Sequence, residues 1–448
     1  MFLGGSSLQN KQVNGDRVLT QSRLETMLVG AQRSLRSRTG RRILKNIAAL
    51  SVAQTATYIL PLVVIPYTAV VLGPKGFGTI ALTQAVVQYS TLITNYGFSF
   101  SATRQAAVCQ DDPRKLAHIV VQVWTAKFVL MLACLVASVA VFATIPSLRP
   151  ALTAYLCGFV AVIGNVLYLD WFFQAIEEMK WITVINVIPK LLLTPLIFVF
   201  VKVPSDYVLV ILIQSATFLT SGIAGAVLAR HRLHVPLPAP SPRGFLAQLK
   251  DGWRTFLATV SINLYTSTNT VLLGLMTNTA AVGYYSAAQR VVSGVQSLWT
   301  PISQSLYPHF CKSFHAEPDR AARQLKRLVV TVLGVTLVGA SAVCIASPHI
   351  VPLYLGPRFS NSIGVIQVLI FAVCAISTSN VLGIHGLLAS GLHSDVLRIV
   401  SSVAVVSLVL APLSILLGGT MGLAVLTVAI EVMISFCYYW KLRCRSIL

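Results

Sequence analysis

Three cations in this chain stand where hydrocarbon would reject them. Arg290, Lys127 and Lys190 each fall inside a long apolar run. A cation at the centre of a spanning helix costs at least ~2.5 kcal/mol on insertion scales, so it calls for a polar cavity or a fixed partner. Their chemistry is anion binding. Arg offers a planar fork of donors suited to phosphate or carboxylate oxygens, and Lys offers a compact charge. Arg290 lies some ten residues into its run, too deep to snorkel out. A cavity role is therefore expected for it, with a structural pair to a carbonyl or carboxylate as the alternative. Lys127 and Lys190 read equally as cavity groups or as interface anchors that snorkel. Arg104 closes an apolar run on the more basic side of the chain. It is a topological anchor first and an anion contact second. Two acids complete the set. Glu431 is the one acid well inside an apolar run, a candidate for proton coupling or a static partner for a cation. Asp170, beside Trp171, reads as an interfacial cap or ion pair, with a gating role second.

The elements that must hold these groups are spanning helices. Of 448 residues, 55% are hydrophobic and only 10% charged, against about a quarter charged in soluble domains. Runs of roughly 20 apolar residues recur at 46–67, 79–102, 116–145, 151–175, 181–201 and 207–229. After a break they recur at 253–276, 281–308, 325–347, 361–388, 396–417 and 421–440. The expected fold is thus an all-α membrane protein of about twelve transmembrane helices. The break contains Pro236, Pro238, Pro240 and Pro242. Alternating prolines favour an extended linker. The expected domains are a basic cytoplasmic tail (1–45, disordered), a six-helix bundle (46–229), a cytoplasmic linker (230–252) and a second six-helix bundle (253–448).

Orientation follows from Lys and Arg in the connecting segments. With the N-terminus in the cytoplasm, 27 of the 34 basic residues fall on the cytoplasmic side and four on the other, the remainder being the three buried cations. Both termini are then cytoplasmic, in an inner, or plasma, membrane. The net charge of +21 belongs to this bias rather than to a nucleic-acid surface. The first forty residues lack the apolar core of a cleaved leader. No periplasmic segment exceeds about fifteen residues on this map, which leaves no room for an extramembrane catalytic domain. The eight cysteines form no CxxC pair and read as small buried hydrophobes. Neither a metal site, a catalytic constellation nor a cofactor motif is expected. The glycine-rich stretch 73–78 lacks the GK[ST] ending of a phosphate loop and reads as a tight periplasmic turn. Pro61 and Pro66, and Pro301 and Pro308, are expected to interrupt their spans.

The sequence also repeats itself. Gly78, Gln84 and the pair Val86-Val87 recur as Gly283, Gln289 and Val291-Val292, 205 positions later. Each copy opens the second span of its half. Transporters are often built from repeated bundles with the substrate path between them.

Specific segments point further. IPYTAVVLGPKGFG at 65–78, YGFSFSATR at 96–104 and DDPRKL at 111–116 resemble the Wzx-type O-antigen and exopolysaccharide flippases. These belong to the multidrug/oligosaccharidyl-lipid/polysaccharide exporter superfamily. LDWFFQAIE at 169–177, AVGYYSAAQRVV at 281–292 and TPISQSLYP at 300–308 agree with this. The resemblance implies two pseudo-repeated six-helix bundles around a central cavity. It implies alternating access for an undecaprenyl-pyrophosphate-linked oligosaccharide, moved from the cytoplasmic to the periplasmic leaflet. Membrane lipids, a polysaccharide polymerase and a chain-length regulator are the expected partners. The buried cations would then replace water around the pyrophosphate. A multidrug or cation antiporter of the same superfamily would want acids where this chain has bases. A membrane polysaccharide polymerase or glycosyltransferase would need a large loop or a carboxylate cluster.

Overall fold

The computed structural model describes the backbone of residues 38–448 apart from 111, 145–148, 446 and 448. Side chains are described from residue 60 onward, less 261–267 and scattered positions elsewhere. Residues 1–37, most of the expected basic tail, lie outside the described set.

The described chain is helical, with no strand among the described residues. In order the helices are α1 (Arg38–Asn95), α2 (Phe98–Val108), α3 (Pro113–Thr144), α4 (Leu152–Leu167), α5 (Asp170–Ala175), α6 (Met179–Leu193), α7 (Leu196–Phe200) and α8 (Tyr207–Leu233). Then come α9 (Pro242–Met276), α10 (Thr279–Ser297), α11 (Trp299–Ala316), α12 (Pro318–Tyr354), α13 (Ser362–Leu369) and α14 (Ala372–Asn380). A π-helical turn (Val381–Leu388) and α15 (His393–Cys444) complete the chain. Among the described residues, eight helical stretches are long and apolar enough to cross a bilayer by length and composition, which makes this a multi-pass membrane protein. Two of these, Leu60–Val108 at 49 residues and His393–Cys444 at 52, are about twice the length one crossing needs.

Local chemistry sets the boundaries. Inside α1 only Gly73 leaves helical geometry (φ 65°, ψ −178°), and Pro74 follows it. A positive φ suits glycine alone, and proline suits the first turn of the helix that resumes. The stretch 73–78 is therefore a helix break followed at once by new helix, not a turn. Pro61 and Pro66 sit inside continuous helix. Gly419 breaks α15 in the same way (φ 54°). At the start of α3, Asp112 Oδ1 accepts the backbone N–H groups of Lys115 and Arg114. These bonds hold its carboxyl below the usual range. Helix α8 runs on to Leu233, and α9 begins at Pro242, with Ser241 accepting from the Gly244 amide as cap. The run expected at 281–308 divides into α10 and α11 at Leu298, where the backbone bond tightens to Val295 O.

Large apolar side chains cover the outside. Val136, Val330, Ile345 and Leu417 are all exposed, as a hydrocarbon-facing surface requires. Small residues mark the close crossings inside. Helices α4 and α8 meet at Gly164 and Gly222, where an added Cβ on Gly222 would lie 2.1 Å from Gly164 O. Such contacts replace the hydrophobic drive that is missing between helices in lipid.

The crossing of α1 with α10 is reciprocal. A Cβ on Gly78 would lie 1.7 Å from Thr279 O, and one on Gly283 would lie 2.1 Å from Pro74 O. Residues 74 and 279 are separated by the same 205 positions as 78 and 283. The echo is thus a contact of each copy with the other, glycine against the carbonyl one turn earlier. Gly283→Val should lower the thermal midpoint of the purified protein by an amount equivalent to about 1–3 kcal/mol of overpacking. Gly334→Val, with nothing within 4 Å, serves as control. Equal midpoints would show that the crossing is not tight.

Candidate substrate cavity

The α1–α10 crossing places Arg290 against the other copy of the repeat. Its Nη2 donates to Gln84 Oε1 at 2.7 Å, and its Cζ lies 5.1 Å from the centroid of the Phe77 ring. Phe77 and Gln84 are seven positions apart on one helix, so they share a face. Gln84 Nε2 in turn donates to Gln214 Oε1 on α8, at 2.6 Å. A polarised chain runs from guanidinium to amide to amide. Among the described residues no carboxylate pairs with Arg290. A half-buried guanidinium with one neutral acceptor keeps donors to spare.

Two cavities with polar residues in their linings adjoin this chain. The first, of about 320 Å³, lies among α1, α4 and α8, and is lined by Gln84, Val87, Gln88, Thr91, Asn165 and Gln214 with their neighbours. The second, of about 340 Å³, lies among α9, α10, α13, α14 and α15, and is lined by Asn269, Tyr285, Gln289, Gln296, Thr427 and Glu431 among others. Gln84, Val87, Gln88 and Thr91 of the first correspond, 205 positions on, to Gln289, Val292, Ser293 and Gln296 of the second. Four positions of the repeat therefore line a cavity in both copies. The position of Arg290 is Ala85 in the first copy, so the cation breaks the symmetry.

The other charged candidates are distributed differently. Lys127 is buried, and its Nζ donates to Asn165 O at 3.2 Å. It thus lies behind the first cavity, bonded to the backbone of a residue that lines it. Asp170 opens α5 and is half-buried. Lys190 lies in the last turn of α6, half-buried and away from both cavities. Arg104 is 71% exposed and forms a forked pair with Asp251, at 2.9 and 3.1 Å. Gln105 adds a bond to the same carboxylate at 3.0 Å. Arg104 and Asp251, with Lys250, Phe100 and Trp253, line a crevice between α2 and α9. Glu431 is buried against the second cavity, with no ion pair among the described residues. Glu431 thus lines the second cavity, Arg290 is joined to the first through its bond to Gln84, Lys127 lies behind that cavity, and Lys190 and Arg104 stand apart. No group of metal-ligating side chains is found among the described residues.

The neutral lining residues, Gln84, Gln88, Asn165 and Gln214, carry no charge that would mark them in an apolar run. Only Gln84 had a signal, its recurrence as Gln289.

The polysaccharide biosynthesis protein family matches residues 43–314. The chain belongs to that family. Two relatives, from Escherichia coli (strain K12) and Shigella dysenteriae, each named "Putative O-antigen transporter", are 28% and 27% identical to it. The alignments cover 87% of this chain and 94% and 97% of theirs. A solved structure of the lipid II flippase MurJ in an inward closed conformation shares the fold at a TM-score of 0.66 and 12% identity. It covers 88% of this chain and 87% of its own. With these relatives stands the reading of the family member as a membrane transporter rather than an enzyme.

The two cation environments predict different costs. Arg104→Ala removes an exposed pair and should change stability by less than about 1 kcal/mol. Lys127→Ala leaves a void and an unpaired carbonyl, and should cost about 3 kcal/mol or more. Thermal unfolding in detergent separates the two. Equal shifts would contradict the burial assigned to Lys127.

Proposed function

We propose that this protein is a flippase that carries undecaprenyl-pyrophosphate-linked oligosaccharide units from the cytoplasmic to the periplasmic leaflet. In this reading it works by alternating access between two six-span halves, with α1 and α15 each counted as two spans. The family and the names of the relatives support the substrate class. The basic bias of 27 to four supports cytoplasmic termini and inner-membrane placement.

The observation that carries the reading is Arg290. It lies eleven residues into α10, roughly 16 Å along the helix axis, or about half the hydrocarbon thickness. A pyrophosphate crossing the bilayer must exchange water for fixed donors. A guanidinium with spare N–H groups, screened on one face by Phe77 and bonded to Gln84 of the first cavity, supplies them. Lys127 adds positive charge behind the first cavity. Lys190 serves as an interfacial anchor, and Arg104 with Asp251 holds α2 to α9 on the cytoplasmic side. Glu431 couples transport to proton movement from the second cavity, and Asp170 contributes to gating by offsetting Lys127. The lipid tails remain in the bilayer and reach the site between helices.

Arg290→Ala should abolish surface polysaccharide while the protein remains in the membrane at its normal level. Normal polymer in that strain would end the assignment. Glu431→Gln should slow transport driven by a proton gradient in vesicles, and unchanged rates would remove Glu431 from the coupling role. Reporters fused after residues 240 and 316 should both report cytoplasm. A periplasmic signal from either would break the twelve-span map.

A further inference from the structure

The first cavity has no ionisable residue among those that line it, although it adjoins the guanidinium of Arg290. Four primary amides converge there, those of Gln84, Gln88, Gln214 and Asn165. An amide presents a carbonyl acceptor and two donors side by side. That spacing suits paired sugar hydroxyls or an acetamido group, which both donate and accept. Asn165 Oδ1 is buried and has no partner among the described residues. Thr83, Thr91 and Ser215 add polar residues to a lining that is otherwise apolar, and Phe218 adds an aromatic one. At about 320 Å³ the space is at the small end of ligand clefts, and suits one sugar ring rather than a chain.

The equivalent cavity of the second copy makes the contrast. The same four repeat positions line it, but it carries the carboxyl of Glu431. Charge has been placed in one copy and kept out of the other.

From this we infer that the first cavity is a binding subsite for one neutral sugar, the sugar joined directly to the pyrophosphate. Arg290 holds the pyrophosphate, and the Gln84–Gln214 amide chain leads from it into the subsite. An acidic sugar is disfavoured, because the amides supply no cation to replace its hydration. The inference rests on the transport reading above and adds the class of sugar and its location.

The test uses the purified full-length protein in detergent and a set of short-chain polyprenyl pyrophosphates. One is bare, and the others bear a single hexose, N-acetylhexosamine, 6-deoxyhexose or uronic acid. Binding is read by calorimetry. The wild type should bind at least one neutral glycosylated lipid about tenfold more tightly than the bare lipid. Asn165→Leu and Gln88→Leu should each erase that preference and leave affinity for the bare lipid unchanged. Arg290→Ala should weaken all the lipids alike. Equal affinity for bare and glycosylated lipids in the wild type would overturn the subsite, as would a preference for the uronic acid. Retention of the preference in both leucine variants would overturn its location. Failure of the wild type to bind any of the lipids would bring down the transport reading and the subsite with it, whereas lost discrimination alone brings down the subsite.

Discussion

The contact on which the rest depends is backbone against backbone at Gly78 and Gly283. Each glycine lies under a carbonyl of the opposite helix, and any side chain at either position would enter that carbonyl. Within hydrocarbon there is little apolar drive to bring two helices together, so close packing of small residues must do it. Because the two contacts are the same contact seen from either copy, α1 and α10 cross with an approximate twofold relation. That crossing carries Gln84 and Arg290 to each other one to two turns further along, and it sets the cavities of the two copies to either side.

Symmetry fixed by the crossing is then broken by charge. Arg290 stands where the first copy has Ala85, and Glu431 has no acidic counterpart in the lining of the first cavity. A symmetric pair of polar hollows would offer a substrate no preferred orientation. Here one guanidinium bonds to Gln84 of the first hollow, one carboxyl lines the second, and only neutral residues line the first. Several charges outside this zone have local partners instead. Arg104 is held by Asp251, and Lys127 by a backbone carbonyl. Asp395 gathers Lys441, Arg445 and Arg398 around itself. None of these needs a substrate to account for it.

Much of this was legible in the amino-acid order, for physical reasons. A cation in an apolar run is conspicuous because its insertion cost is high, so Arg290 could be singled out with no structure at hand. Gly and Gln recur at one spacing in the amino-acid order, but nothing there tells that the two stretches touch. What could not be read were partners remote in the chain. The carbonyl that receives Lys127 lies 38 positions away, and Asp251 lies 147 positions from Arg104. Glutamines and asparagines inside apolar runs also pass unnoticed, since each is tolerated at modest cost when bonded. The stretch after Gly73 was misread because Gly-Pro ends helices and also starts them.

The central claim is that an anionic headgroup comes to rest on Arg290 between the two cavities. The most direct measurement is a density map of the full chain in lipid nanodiscs with an added polyprenyl-pyrophosphate-linked saccharide. The account predicts pyrophosphate density within about 3 Å of the Arg290 guanidinium, at charge-assisted hydrogen-bond distance. Headgroup density confined to the crevice of Arg104 and Lys250, with the guanidinium still bonded to Gln84 alone, would contradict it.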